Sequence, residues 1–493
     1  MEKRVLLAAG LSLVFLFLWQ YFFYKPHSDN KQNVKEKLET KAKEDLINSN
    51  LPFEPYILET KYLKFIFNKY TAGIREVYIK EDYKDDFILL CKEDKDILTA
   101  NLTDKYDVLT TYQNEEVSVK FYSKKEKVSF TYYINNNSPY FVLYEIKTPT
   151  PKILNIAFES HVQSDEPVVE PNTVHICKLQ DTSKKEILTV EKIDKGKFYE
   201  DDKIKWLAVS SRYFMAALIF DKNYLENEIS ITKVNKKTKN VTIVTKPLLN
   251  YNMKLFFGPK KVSLLRVTPE KLFHTIDWGT FAPLSKLFYN ILTFLYNIFK
   301  NYGLAIIGLT IIIQIFTLPL TYNSIKATVK MRQIQPQVQL LQKIYKDDPK
   351  RLNIEIMNLY KEKKVNPFGG CLPLILQIPI FWALFTMLRN TYDLRGASFI
   401  LWIKDLSQPD KLVIPGLNFG IPVLVILMGV SMFVQQLISG TFSDPQQRAI
   451  GIIMPIIFVF LFFGFPSGLV LYWFINNLFS IGLQFLITQS TKS

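Results

Sequence analysis

Five strongly apolar runs without a charged residue punctuate the chain, at 5–23, 302–325, 365–388, 412–443 and 449–491. A helix needs about 20 apolar residues to cross a bilayer's hydrocarbon, so the last run is long enough for two spans, with Phe465-Pro466-Ser467-Gly468 as the bend. The pattern predicts six transmembrane helices, and hence a polytopic α-helical membrane protein. Between the first and second runs it changes twice. Residues 27–50 are rich in Lys, Glu, Asn and Asp, a composition that cannot bury enough surface to fold alone and reads as a tether. From residue 52 to about 267, apolar and polar positions alternate in short runs such as Tyr62-Leu63-Lys64-Phe65-Ile66-Phe67, Val117-Ser118-Val119-Lys120-Phe121-Tyr122 and Val128-Ser129-Phe130-Thr131-Tyr132-Tyr133. Turn signals such as Asn135-Asn136-Asn137 separate them, which predicts a large extracytoplasmic all-β sandwich.

The expected layout is an N-terminal anchor at 1–24, a linker at 25–51, the sandwich at 52–270 and an interfacial helix at 271–300. Five further spans follow at 301–325, 365–390, 416–438, 449–465 and 467–489, joined by loops at 326–364, 391–415 and 439–448. Leu284, Leu287, Phe288, Ile291, Leu292, Leu295 and Ile298 set an amphipathic stripe. That stripe fits either a helix lying on the outer membrane face or one that packs on the sandwich.

Orientation comes from the basic residues. Lys3-Arg4 precede the first run, which lacks a small-residue cleavage site and reads as a retained anchor, so the N-terminus is expected in the cytoplasm and the sandwich in the periplasm. The loop at 326–364 is strongly basic, which places it, and with it the C-terminus, in the cytoplasm as well. Ile334, Val338, Leu341 and Tyr345 repeat at helical spacing, and Leu352, Ile356, Leu359 and Tyr360 repeat again after Asp347-Asp348-Pro349. The loop is therefore a helical hairpin with one apolar and one basic face. Two uses stand level: a solvated hairpin resting on lipid headgroups, or a docking surface through Lys330, Arg332, Lys343, Lys346, Lys350 and Arg351.

Lys and Arg number 61 against 46 Asp and Glu, a net charge of +15, but the excess is dispersed and lacks the aromatic interleaving of a nucleic-acid face. It reads as membrane-surface attraction, with no specificity for nucleic acid. Three cysteines make no disulfide framework, although Cys91 and Cys177 could pair in an exported domain. No cysteine or histidine spacing suggests a metal site.

Candidate chemistry is confined to polar residues at membrane depth: Thr310, Gln314 and Thr317 in the second run, Gln377 in the third, Gln435 and Gln436 in the fourth, and Tyr472, Trp473, Asn476, Asn477 and Gln484 in the last. Thr310, Gln314 and Thr317 share one helix face, as do Tyr472, Asn476 and Trp473. Lipid offers no hydrogen-bond partner, so these groups either line a wet groove or bond helix to helix, the latter worth about 0.6–2 kcal/mol each. No acid, base or histidine lies inside any run, which counts against an ion-coupled transporter and leaves no catalytic constellation, so neither enzymatic activity nor a cofactor is expected.

The stretch Lys361-Glu362-Lys363-Lys364-Val365-Asn366-Pro367-Phe368-Gly369-Gly370-Cys371-Leu372-Pro373, continuing to Gln377-Ile378-Pro379-Ile380-Phe381, resembles the YidC/Oxa/Alb membrane insertases. So do Asn301-Tyr302-Gly303-Leu304-Ala305-Ile306-Ile307, Met331-Arg332-Gln333-Ile334-Gln335-Pro336 and Phe465-Pro466-Ser467-Gly468-Leu469-Val470-Leu471-Tyr472. The resemblance implies a five-helix core around a hydrophilic groove, open to cytoplasm and lipid and closed outside, that inserts and helps fold newly made inner-membrane proteins. The implied partners are nascent membrane-protein clients, the Sec translocon and membrane lipids, with the ribosome and signal-recognition machinery reached through the cytoplasmic loops. The client-binding groove would be formed by Thr310, Gln314, Thr317, Gln377, Tyr472, Trp473 and Asn476. One departure matters: the family motif places an arginine where this chain has Gln314. An amide can hydrogen-bond a client and hold water, but it does not attract a carboxylate as a full charge does. The expectation is therefore a groove that acts by hydration, with entry biased by the basic hairpin. Outside the resemblance stand a transporter or channel with a periplasmic sensor domain, and a tethered carbohydrate-binding protein.

Overall fold

The computed structural model describes residues 52–490 except 82–85, 93–95, 101, 161, 163–172, 183–184, 194–196, 200–202, 221–227, 234–238, 245–247, 269–270, 364, 366–371, 415–419 and 440–444. The expected anchor and linker, the glycine-containing motif at 366–370 and Cys371 lie outside the described residues. The described chain divides into two units, one ending at Ile276 and one beginning at Asp277.

The first unit holds two nine-stranded sheets. One runs from edge to edge through Pro55–Glu59, Leu63–Asn68, Gly73–Lys80, Leu98–Ala100, Asn155–Ser160, Lys239–Val244, Glu228–Lys233 and Lys197–Tyr199, with Phe87–Lys92 also paired to Gly73–Lys80. The other runs through Lys185–Ile193, Thr173–Thr182, Ile204–Ser210, Phe214–Phe220, Leu248–Pro259, Phe141–Lys152, Ser129–Asn135, Glu116–Tyr122 and Asp107–Gln113. Period-two alternation sets which side chains enter the core: Val117, Val119 and Phe121 are buried while Lys120 and Tyr122 are exposed. Aromatic rings join the sheets, with Phe67 of one at 5.3 Å from Phe121 and 4.9 Å from Tyr132 of the other, and Phe65 at 5.9 Å from Phe257. Tyr132 also donates its hydroxyl across the core to the Ala72 carbonyl at 2.7 Å.

The strand Phe214–Phe220 breaks the alternation, since all its residues are buried. The short helix α1 (Val262–Arg266) and a 3-10 turn at Leu272–Thr275 belong to this unit; they bury Leu265 and Leu272 and bring Thr275 Oγ1 to 3.4 Å from Met215 Sδ. The helical cover by α1 departs from the expectation of strands alone up to residue 270, while the 3-10 turn falls where the interfacial helix is expected to begin. An uninterrupted apolar strand needs such cover, because both of its faces would otherwise meet water.

Cys91 and Cys177 are both buried, sit on strands of different sheets and are not joined in a disulfide. Burial pushes the Cys177 thiol up to about 11, and roughly one thiol in a thousand would be ionised at pH 8. With Cys371→Ser in place, an aromatic disulfide reagent is expected to find no reactive thiol in the native chain and two after denaturation. A rapid native reaction, or fewer than two thiols after denaturation, would contradict this.

The second unit is helical. It comprises α2 (Ala282–Phe299), α3 (Tyr302–Ile344), α4 (Pro349–Glu362), α5 (Leu372–Asn390), α6 (Val423–Ser439), α7 (Pro445–Phe462) and α8 (Ser467–Ser490). Among the described residues α3 and α8 are long and apolar enough to cross a membrane, and α6 and most of α7 are shorter apolar helices. The expected second span and the first arm of the hairpin form one continuous helix of 43 residues, although Pro319 and Pro336 each remove a backbone donor inside it. The Asp348 carboxylate caps α4 by accepting from Arg351 N at 3.1 Å.

Candidate functional site

On α3 a row of polar residues falls at 310, 314, 317, 321, 324, 328 and 332, steps of three or four that keep the row on one face of a 3.6-residue helix. Thr317, Thr321 and Thr328 donate their hydroxyls to the carbonyls of Ile313, Thr317 and Ser324 at 3.0–3.1 Å. With its proton committed to the helix, each oxygen keeps lone pairs to offer away from it. The stripe is therefore an acceptor surface that leaves its own helix satisfied.

Near the start of the stripe the helices are bonded to one another. Gln314 Nε2 donates to Asn476 Oδ1 of α8, Gln377 Nε2 of α5 donates to Tyr472 Oη at 2.6 Å, and Asn477 Nδ2 donates to Ser431 Oγ of α6 at 3.0 Å. Two successive turns of α8 thus tie α3, α5 and α6. Thr310 is fully buried and donates to the Ile306 carbonyl at 2.7 Å.

Toward the hairpin end the helices separate around a cavity of about 450 Å³. Gln314, Thr317, Thr321, Ser324, Thr328 and Arg332 of α3 line it, with Gln377 of α5, Gln435, Gln436 and Ser439 of α6, and Trp473, Asn476, Asn477, Ser480 and Gln484 of α8. Trp473 closes one side against Phe381, Phe458 and Phe462, at 5.2–5.5 Å. Eighteen residues separate Gln314 from Arg332, so the lined part of α3 extends about 27 Å.

Of the expected groove residues, Gln314, Thr317, Gln377, Trp473 and Asn476 line this cavity, whereas Thr310 and Tyr472 are buried beyond its inner end. Of the expected docking cations, Lys330, Lys343, Lys346, Lys350 and Arg351 are exposed. Arg332 is half-buried in the cavity wall, where its Nη2 donates to the Ile438 carbonyl at 2.7 Å. Sequence reasoning missed Thr321, Ser324, Thr328 and Ser480. For the three on α3 the signal was present, since the row keeps its period to the end of the apolar run at 325 and on to Thr328 beyond it.

At the other end of the unit the loop between α5 and α6 binds the start of α8. Ser467 N donates to the Gln408 carbonyl at 2.8 Å and Gly468 N to the Leu406 carbonyl at 2.9 Å. Asp410 accepts from Trp402 Nε1 at 2.7 Å and from Leu424 N at the head of α6.

Fold and site together describe a helical domain around a polar-lined cavity, with two helices among the described residues long and apolar enough to cross a membrane, and a separate β-sheet domain. A family model described as "60Kd inner membrane protein" matches residues 294–493, and one described as "YidC periplasmic domain" matches residues 95–291. A membrane protein insertase YidC of Endomicrobium trichonymphae is 35% identical over 517 residues, covering 99% of this chain and 98% of that protein. The same-named protein of Geotalea daltonii is 38% identical over 308 residues, 61% of this chain and 56% of that one. A crystal structure of an active YidC insertase with its first transmembrane domain resolved aligns over 88% of this chain and 92% of its own at 22% identity and a TM-score of 0.43. The chain belongs to the YidC family of membrane protein insertases, inner-membrane proteins with a periplasmic domain. The transporter or channel reading gains no support from these relatives.

Proposed function

We propose that the cavity is the groove through which this chain inserts newly made inner-membrane proteins and helps them fold, alone or beside the Sec translocon. The observation that carries this reading is the division of polar residues along α3 and α8: bonded in pairs at the inner end, and lining open space toward the hairpin. A client's polar tail enters from the hairpin side, stays hydrated among Thr317, Thr321, Asn476 and Ser480, and stops at the Gln314–Asn476 and Gln377–Tyr472 bonds. Its apolar segment leaves sideways into lipid, where burial at about 25 cal/mol per Å² drives the transfer without nucleotide hydrolysis. Hydration shortens the path over which a charged tail must be dehydrated, against about 2.5–3.5 kcal/mol per central charge.

In this reading the membrane domain has six spans, with α3, α5, α6, α7 and α8 as the five-helix core and 5–23 as the anchor. The domain limits follow the sequence layout, with the sandwich continuing to Ile276. The hairpin, the N-terminus and the C-terminus face the cytoplasm. Lys330, Lys343, Lys346, Lys350 and Arg351 present a basic surface to headgroups, ribosome or signal-recognition machinery.

Single cysteines at 317, 321 and 480 should react with a membrane-impermeant maleimide added from the hairpin side, and a cysteine at 310 should not. Equal protection of all four positions in a functional chain would show a dry bundle and overturn the groove.

A further inference from the structure

The polar stripe of α3 ends on a cation. Among the described residues that line the cavity Arg332 is the one charged side chain, and none of them is a carboxylate. Its Nη2 is engaged by the Ile438 carbonyl, and its Nε is buried without a hydrogen-bond partner. Ile438 lies in the last described turn of α6, where the helix dipole is negative, so the contact suits a guanidinium but neutralises only part of its charge. A guanidinium has five donors in a planar fork, and one is used here. Pro336 also removes the amide that would bond the Arg332 carbonyl, which loosens the helix at this turn.

Position explains why a cation is tolerated. Arg332 lies seven residues beyond the end of the apolar run at 325 and about 27 Å along α3 from Gln314, so its charge stays near water. Gln314, at the other end of the lined stretch, is neutral and bonded to Asn476 of α8.

Resting on the groove reading, we infer that Arg332 is the charge-selective subsite of this chain, taking a carboxylate of the client's polar segment at the cavity mouth. The acid exchanges with or joins the Ile438 carbonyl on the guanidinium. Selection by charge therefore happens at entry, and passage beyond it depends on hydration.

The test uses the full chain reconstituted in phosphatidylcholine vesicles, where no anionic lipid recruits the hairpin. The client is a single-spanning protein whose short translocated tail carries two aspartates, two asparagines or two lysines, with insertion scored by protease protection. The wild-type chain should favour the aspartate tail over the asparagine tail by roughly tenfold, the scale of a charge-assisted hydrogen-bond pair. Arg332→Gln should bring that ratio to about one, Arg332→Lys should keep part of it, and Arg332→Glu should shift preference to the lysine tail. Ratios are independent of how much folded protein each variant yields. An unchanged ratio in Arg332→Gln, including proportional loss for all tails, would reduce Arg332 to a brace between α3 and α6 and overturn the assignment. Failure of the wild-type chain to insert even the asparagine tail would instead count against the groove.

Discussion

Valine at Thr317, Thr321 and Thr328 combined with alanine at Ser324 should lower insertion of a client with two charged tail residues by at least roughly tenfold, while α3 remains helical. Each threonine hydroxyl already donates to a carbonyl of its own helix, so removing it leaves that carbonyl with its backbone donor and creates no buried unpaired group. What disappears is the row of lone pairs that holds water in the cavity. A buried water needs two to four polar partners, and the substitutions remove four of them from about 27 Å of the α3 wall, leaving the polar groups of α6 and α8 to hold water from the facing side alone. The charged tail then meets a dry path, with about 2.5–3.5 kcal/mol per charge restored to the barrier. A client with a short uncharged tail should lose far less. Protease protection of both clients in the same vesicles measures the difference, and an equal loss for both would point to misfolding of α3 instead of drying.

Much of this arrangement was readable from residue order. The sandwich announced itself through period-two runs such as Val117 to Tyr122, where each apolar side chain has one face to bury. The covered strand Phe214–Phe220 did not announce its cover, because nothing in a continuous apolar run says which distant segment will lie on it. In the membrane unit the first three polar positions of α3 were visible as intrusions into an apolar run. Thr321, Ser324 and Thr328 were less visible because they fall where the run gives way to the basic hairpin and polar residues are unremarkable. Whether a polar residue bonds a neighbour or lines space depends on helix separation, which sequence does not encode locally. Tyr472 and Asn476 share a helix face, yet one is buried against Gln377 and the other reaches the cavity wall. Arg332 shows the same limit. By composition it belongs with the hairpin cations, and only the continuation of the stripe places it inside.

Substituting Gly303 by alanine should destabilise the helical unit by roughly 3 kcal/mol, at the upper end for overpacking, and should loosen the end opposite the hairpin. A Cβ at Gly303 would lie 1.9 Å from Phe399 Cδ2 and 2.2 Å from its Cγ, so the ring must move by more than an ångström. The ring is poorly placed to do so. The Phe399 carbonyl accepts from Asn301 Nδ2 at 3.3 Å, its amide donates to the Ile403 carbonyl at 2.9 Å, and Asn301 itself caps α3 by accepting from Leu304 N at 3.1 Å. The displacement reaches further because the same loop carries Leu406 and Gln408, whose carbonyls hold the first amides of α8. Gly303→Ala therefore acts on three elements at once: the cap of α3, the loop, and the start of the helix that bears Tyr472 and Asn476. Gly464 and Gly482 provide the controls, since a Cβ at either meets nothing within 4 Å. Gly482→Ala, inside α8, should be neutral or stabilising by up to about 1 kcal/mol. Thermal unfolding in detergent should show a fall on the order of 10 °C for Gly303→Ala and little change for the controls. A cysteine at 310, protected in the parent chain, should become reactive from the side opposite the hairpin only in the Gly303→Ala background. Continued protection there with a lowered melting temperature would mean that the loop yields without opening, and would leave the closure to the Gln314–Asn476 and Gln377–Tyr472 bonds alone.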